Sequence, residues 1–526
     1  MTLQDQYDQA AAAHRRGDLV EAERLYRTVL EAAPSSFAAR HMLGVLRAQA
    51  GDTAEALALI GAALAQKPDA PDALFNYGNV LRRAGRLDEA LAAYDKALAA
   101  RPDYAAAQAA QGETRDLLAQ ALNLSGNDHR AAGKAEEALA DYDRALALAP
   151  RYGDALNNRA VALWSLGRFS EALAGFDAAL TAKPDYVEAH YNRANVLRDM
   201  LRLDEAMQSF DRAIAIDPAF APAYRNKGFC ALLLGDFASG LPLYEWRKRL
   251  NPPVEARSYP QPLWTGAEDI GDKTLFLYAE QGLGDAIQFY RFVAPLLARG
   301  ARVILSVQDA LLGLLQNASP KVDLVGAGIV PAAFDYHIPL MSLPLALGLT
   351  PETIPAGAPY LKADPQRVAH WAARIGGEGF KIGISWQGAR GGVTSRAMPL
   401  SSFAGLAHLA GVRLISLQKD FGSEQLVALP GVESLSEEFD RGPDAFLDSA
   451  AVMESLDLVI TLDSALAHLA GALGCPVWVA LKRVPDWRWF LGRSDSPWYP
   501  SMSLFRQQSE GDWAGVFAEM ELQVPK

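Results

Sequence analysis

Two cysteines in 526 residues, Cys230 and Cys475, are too few for a disulfide framework or a thiolate metal cluster. Positive charge is short as well. Fifty lysines and arginines face 62 acidic residues, a formal net charge of -12, which argues against nucleic-acid binding as the main business of the chain. No apolar run approaches the ~20 residues that a membrane helix requires. The opening MTLQDQYDQAAAAHRR has neither the basic start nor the apolar core of a signal peptide, so a cytoplasmic, reducing location is expected, with no stable membrane insertion. What remains is ordinary globular composition, 50% hydrophobic and 21% charged, in a length that calls for two to four domains.

The first half is periodic. Pro34, Pro68, Pro102, Pro150, Pro184 and Pro218 are spaced 34, 34, 48, 34 and 34 residues apart, and 48 is one period plus 14. Small residues keep step at Gly44, Gly78, Gly126, Ala160, Ala194 and Gly228, where a first helix must approach its neighbour closely. Alanines recur at Ala22, Ala56, Ala90, Ala138, Ala172 and Ala206, and an aromatic follows four residues later at Tyr26, Tyr94, Tyr142, Phe176 and Phe210. Turn pairs such as Gly17-Asp18 and Gly51-Asp52 separate the two helices of each unit. This pattern resembles the tetratricopeptide repeat (TPR), with about seven units beginning near residues 3, 37, 71, 119, 153, 187 and 221. The surplus residues are expected to form an extra helix near 104–118. The last unit drifts, with Arg247 where an alanine belongs, and LPLYEWRKRL reads as a cap docking on the domain after it.

A solenoid of this kind leaves an extended groove, the usual seat of a peptide. Asn76, Asn158, Asn192 and Asn226 share one repeat position, and Asn79, Asn127 and Asn195 lie three residues further on. Carboxamides carry both donors and acceptors, so such a column suits an extended peptide backbone whatever its side chains. Asparagine is also common at these positions in TPRs generally, and that plainer reading stays open.

At 251–272 proline and glycine crowd together and the rhythm stops, which marks a linker. Beyond it, short apolar runs alternate with helical stretches, the signature of parallel sheet. Strands are expected at 274–279, 302–307, 322–325 and 334–338. A second set is expected at 381–386, 412–418, 458–462 and 477–481. The fold class is therefore an all-α repeat domain over 1–250 followed by two Rossmann-like α/β halves, 273–362 and 363–526, facing a cleft.

Four motifs in this region carry chemistry. EQGLGDAIQFYRF (280–292) places Gly282, Gly284 and Asp285 directly after the first strand. The glycines allow close backbone approach, and an aspartate at a helix start, Asp285, reads on its own as an N-terminal cap. GISWQGARGGVTSRAMPL (383–400) brings Arg396, with Arg390 as a lesser helper, after a strand. LISLQKD (414–420) puts Gln418 and Lys419 at the end of another. DSALAHLAGALGCPV (463–477) starts a helix with Asp463 and Ser464, continues through Ala465 and His468, and closes it with Gly474. A free helix N-terminus after a buried strand suits an anion, although an ordinary capped turn or a packed core histidine would read the same. Trp487 and Trp489 downstream fit stacking on a ligand or, more simply, packing in a domain seam.

Taken in order, these motifs resemble the GT-B glycosyltransferases of the ADP-heptose:lipopolysaccharide heptosyltransferase type, and more closely the bacterial branch in which such a domain follows TPRs. The resemblance covers most of 273–510. It implies that Asp285 is the catalytic base and that Arg396, Gln418, Lys419, Asp463, Ser464, Ala465 and His468 hold the nucleotide-sugar donor. Arg396 stands where the family has lysine, and Ala465 where it has glycine. No Asp-x-Asp follows a strand, and Asp141-Tyr142-Asp143 lies within a repeat helix, so transfer without a metal is expected. No cofactor is implied beyond the nucleotide sugar itself. The implied function is inverting transfer of a sugar to a protein, flagellin among the candidates, recruited by the TPR groove through Asn76, Asn158, Asn192 and Asn226. Two alternatives stay open: a non-catalytic TPR adaptor with a degenerate transferase-like domain, and a heptosyltransferase-like enzyme acting on a lipid-linked glycan.

Overall fold

A computed structural model of the chain describes residues 2–525 apart from 255–256, 358, 389–396 and 420. Packing divides it into two compact units, Met1–Val196 and Leu197–Lys526.

The first unit is built of helical hairpins. Leu3–Arg15 pairs with Leu19–Ala32, Phe37–Gln49 with Thr53–Leu64, and Pro71–Arg83 with Leu87–Ala100. Asp18 and Asp52 accept from the backbone N–H of Glu21 and Glu55, so the turn that ends one helix also starts the next. The recurring alanines Ala22, Ala56, Ala90, Ala138 and Ala172 are fully buried between the two helices of their hairpins. The surplus residues do not form a separate helix at 104–118. They join the first helix of the next hairpin in one 27-residue helix, Ala105–Ala131. The segment is alanine-rich and has no proline after Pro102 to stop it, so propagation continues through the expected break.

Close approach explains the small residues. A Cβ added at Gly78 would lie 2.5 Å from the Tyr94 ring, and one at Gly126 would lie 2.5 Å from Tyr142. Each aromatic therefore packs onto the bare backbone of the helix preceding it. Gly61, by contrast, faces Tyr77 at an ordinary 3.8 Å. Gly78→Val is expected to cost about 1–3 kcal/mol through overpacking. Gly61→Ala is expected to be neutral or to stabilise by up to about 1 kcal/mol, since alanine loses less backbone freedom in a helix. Urea midpoints of the two variants check this; equal midpoints would contradict the contact account.

In the second unit the repeats run on through Leu203–Ile216, Ala221–Leu233 and Phe237–Tyr244 to a 3-10 turn at Glu245–Arg249. Two parallel sheets come next. The first has the order β3-β2-β1-β4, from β1 (Thr274–Tyr278), β2 (Arg302–Ser306), β3 (Asp323–Val325) and β4 (Tyr336–Pro339). The second has the order β10-β9-β8-β5-β6-β7. Its strands are β5 (Phe380–Ile384), β6 (Val412–Ser416), β7 (Val432–Ser434), β8 (Leu458–Leu462), β9 (Val477–Leu481) and β10 (Met502–Arg506). The expected strands are present within two residues at either end, and β7 and β10 are additional. The second order is that of a doubly wound sheet, whose ligand crevice opens where the winding reverses, between β5 and β8 at their carboxyl ends. In the first sheet the same reversal falls between β1 and β4.

Part of the linker covers an edge. Trp264 N–H donates to His337 O at 2.9 Å and His337 N–H to Pro262 O at 3.2 Å, so the chain before β1 shields the open side of β4. The second sheet's core gathers Ile384, Trp386, Phe403 and Ile460 with Phe517 and Met520 of the helix Trp513–Gln523. Among the described residues no helix is long and apolar enough to cross a membrane. Burial pushes the thiols of Cys230 and Cys475 up to about 12, so neither is a thiolate nucleophile at neutral pH.

Candidate functional site

Leaving β1, the chain turns through Gly282 into the helix Leu283–Phe289, and Asp285 lies in its first turn. One carboxylate oxygen of Asp285 accepts from the Gly282 N–H at 3.0 Å. The other accepts from Arg488 Nη2 at 2.5 Å. Arg488, from the loop after β9, also donates Nη1 to Asp486 at 2.7 Å and Nε to Gln288 at 2.7 Å. Burial alone would lower the pKa of this guanidinium; the charges of Asp486 and Asp285 outweigh it and hold the group above its ordinary value. The Asp285 side chain keeps 22% of its exposure while Arg488 keeps 6%. Asp285 is thus both a cap and an ion-pair partner. Each carboxylate oxygen has capacity for two hydrogen bonds, so neither contact exhausts it as a proton acceptor.

Across the reversal of the second sheet, Asp463 and Ser464 lead from β8 into the helix Ala465–Leu473. Ser464 makes no side-chain bond to the first-turn amides; its hydroxyl lies 3.1 Å from that of Thr461. This helix crosses Leu283–Phe289 at very short range. A Cβ on Gly284 would stand 3.0 Å from His468 Cδ2 and 3.1 Å from Ala465 Cα. Gly284 is therefore small because another helix presses on it, whereas close approach of a ligand was the expected reason. His468 is 4% exposed, stacks on Trp489 with ring centroids 5.3 Å apart, and has Nδ1 3.2 Å from the Tyr499 hydroxyl. It is a packed seam histidine.

Gln418 and Lys419 lie where a strand end was expected, but both are engaged with the protein itself. Gln418 Oε1 accepts from Ser385 Oγ at 3.1 Å, Trp386 N–H at 3.2 Å and Gln387 N–H at 3.0 Å. It thereby pins the chain leaving β5. Lys419 donates to the Asp440 carbonyl. Arg390 and Arg396 lie outside the described residues. Trp487 and Trp489 are buried, Trp487 against Phe237, Tyr244 and Trp498.

Three arginines that organise the region were not singled out as site residues from sequence. Arg488 lies between Trp487 and Trp489, outside the four motifs, and nothing in its local sequence marks the pairing with Asp285. Arg291 stacks among Tyr360, Trp498 and Tyr499 and donates to Trp498 O at 2.5 Å and Pro355 O at 3.2 Å. Arg247 fills the reversal of the first sheet. Its Nε and Nη2 reach Glu280 at 2.6 and 3.2 Å, Nη2 also reaches Ser342 Oγ at 2.8 Å, and Nη1 reaches Glu245 at 2.5 Å. An arginine at a core alanine position of the last repeat was the available signal.

In the first unit the asparagine column is internally bonded. Asn76 Nδ2 lies 3.0 Å from His41 Nε2, Asn158 donates to Asn123 at 3.0 Å, and Asn192 donates to Asn157 at 3.2 Å. Each bond joins residues 35 apart, so the column ties successive repeats together. Asn79 and Asn127 accept from the Tyr94 and Tyr142 hydroxyls at 2.8 Å. Asn157, Asn158 and Asn192, with Arg130, Lys183 and Tyr186, still line an open cleft of about 540 Å³. Asn226 belongs to the second unit, where it is buried and accepts from Arg225 Nε at 3.1 Å.

The tetratricopeptide repeat family matches residues 41–105, 123–187 and 162–221, so the helical array is a TPR array. Among curated proteins the chain is similar to Protein FlbA of Caulobacter vibrioides (strain ATCC 19089 / CIP 103742 / CB 15). The two are 30% identical over 312 residues, 54% of this chain and 51% of that protein, so the chain spans about half the length of this curated relative. Among solved structures it is similar to MamA, at 22% identity over 32% of this chain and 91% of that one, with a TM-score of 0.23. YrrB, described as a TPR protein with an unusual peptide-binding site, is 23% identical over 38% of this chain and 97% of its own, with a TM-score of 0.23. TM-scores this low carry no information about function.

Proposed function

We propose that the chain is an inverting, nucleotide-sugar-dependent glycosyltransferase that modifies a protein, its two α/β halves forming a GT-B pair. The observation that supports this most is the placement of Asp285. It stands on the first turn after β1, ion-paired to Arg488 of the second half, on a helix that crosses the start of Ala465–Leu473. In this reading the acceptor hydroxyl oxygen attacks the anomeric carbon, the bond to the nucleoside diphosphate breaks on the opposite face, and Asp285 takes the hydroxyl proton. The diphosphate lies at the amides of the Ala465–Leu473 helix. A helix terminus contributes only about 0.3–1 kcal/mol per nearby charge when exposed, so Arg396 supplies the remaining positive charge. The role assigned to the TPR array is capture of the polypeptide acceptor, a flagellin-like or other surface protein by the resemblance.

The adaptor reading draws on Gln418, Lys419 and His468, three of the proposed donor contacts, all bonded within the protein. A thermal-shift screen with ADP-, UDP-, GDP- and CMP-sugars separates the two. A donor at 100 times its dissociation constant is expected to stabilise the fold by about 2.7 kcal/mol. A flat response to all four favours the adaptor.

A further inference from the structure

Within the second unit, the last repeat helices and the loops after β1 and β9 enclose a chamber of about 530 Å³. Arg198, Arg225 and Phe229 line the repeat side; Gln281, Asp486 and Trp487 line the other. The carboxylates at its walls are already paired, Glu280 with Arg247 at 2.6 Å and Asp486 with Arg488 at 2.7 Å. Arg198 pairs with Asp199 at 2.8 Å. Arg225 differs. Its bond is from Nε to the Asn226 amide oxygen at 3.1 Å, and among the described residues no carboxylate meets its guanidinium. A second observation points the same way: Trp487 is 2% exposed and its buried indole N–H has no acceptor among the described residues, a state that costs about 1–3 kcal/mol. The Gln281 amide N–H reaches the Tyr244 hydroxyl at 3.4 Å, a long hydrogen bond.

The chamber therefore presents donors and one guanidinium, that of Arg225, with no carboxylate partner among the described residues. Its size is that of a ligand pocket. With Glu280 and Asp486 neutralised by Arg247 and Arg488, one guanidinium is left to meet a ligand, which matches a single negative charge better than the several of a diphosphate. A single carboxylate supplies it. Asp486 is one guanidinium away from Asp285, since Arg488 bonds both. At about 3.3–3.6 Å per extended residue, a group in the chamber falls within a few residues of a hydroxyl at Asp285.

We propose that this chamber is the specificity pocket for the acceptor polypeptide, that it takes an aspartate or glutamate side chain near the modified hydroxyl, and that Arg225 pairs with that carboxylate. Trp487 donates to a carbonyl of the same segment. The proposal rests on Asp285 being the base that receives the acceptor hydroxyl.

The test uses the full chain and three fluorescent serine-centred decapeptides, identical except for Glu, Gln or Lys beside the serine, with binding read by anisotropy. The Glu peptide is expected to bind about tenfold more tightly than the Gln peptide, the equivalent of about 1.4 kcal/mol, and added salt should shrink the difference. Arg225→Gln should bring the ratio to about one, Arg225→Lys should keep the preference, and Arg225→Glu should turn it toward the Lys peptide. Equal binding of the three peptides, binding of none, or a preference that survives Arg225→Gln overturns the proposal. Failure of the transferase reading looks different: the charge preference persists, but no nucleotide sugar yields a glycosylated peptide.

Discussion

Asp285→Asn is expected to lower transfer by about 10²–10⁴-fold, the range contributed by a positioned general base, while nucleotide-sugar binding stays nearly intact. Asparagine keeps the shape of the side chain and one oxygen for Arg488 Nη2. Its amide nitrogen then faces the Gly282 N–H, a donor against a donor, so the first turn of Leu283–Phe289 loses its cap. That loss costs about 1 kcal/mol, too little to unfold the chain, and Arg488 keeps Asp486 as counter-charge. The chemical loss is larger, because an amide does not accept the proton that an attacking hydroxyl must shed. Single-turnover transfer to a protein acceptor, paired with a donor thermal shift on the same variant, measures the two effects separately. Near-native transfer by the variant would remove Asp285 from the mechanism.

Much of the fold was legible because its signals are local and repeated. The small residue of one helix and the large residue it faces lie 16 residues apart, as in Gly78 and Tyr94 or Gly126 and Tyr142, so the period itself brings the ring against the bare backbone. Leu458–Leu462 and Val477–Leu481 are found at the expected bounds, since continuous apolar runs ended by turn residues leave little freedom. Val432–Ser434 was missed: three residues with two of them exposed carry no pattern. The candidate site was legible in its backbone and much less in its side chains. Asp285, Ser464 and Gln418 stand near strand ends, as the motifs suggest. What Gln418 and His468 touch depends on chain that is distant in sequence, Trp386 for one and Tyr499 for the other. The carboxamide column shows the same limit. Asparagine recurrence was visible, but a carboxamide that ties repeats together and one that holds a peptide have the same sequence signature.

Arg247→Met is expected to destabilise the second unit by about 3–5 kcal/mol, the usual result of removing one partner from a buried ion pair. The Arg247 side chain is 1% exposed and that of Glu280 is 0%. Burial already pushes the Glu280 carboxyl up, against the pull of Arg247. Without the arginine that upward push is unopposed, so the folded variant favours the protonated acid. Linkage sets the sign. A carboxyl whose folded pKa exceeds its unfolded value of about 4.3 leaves stability intact below that value and erodes it as pH rises through the folded pKa. The melting temperature of the variant is therefore expected to fall between about pH 5 and 7 more steeply than that of the parent chain. Arg247→Met combined with Glu280→Leu should recover much of the loss and flatten the pH response, because well-packed apolar replacements of a buried pair are often neutral. A chain begun at residue 251, where proline and glycine mark the end of the repeats, lacks the same arginine and should share the defect. Scanning calorimetry of the single and double variants at pH 5 and 7 decides the matter. A single variant that melts with the parent at both pH values would mean that the 3-10 turn Glu245–Arg249 is a passive cap, not a keystone of the first sheet's reversal.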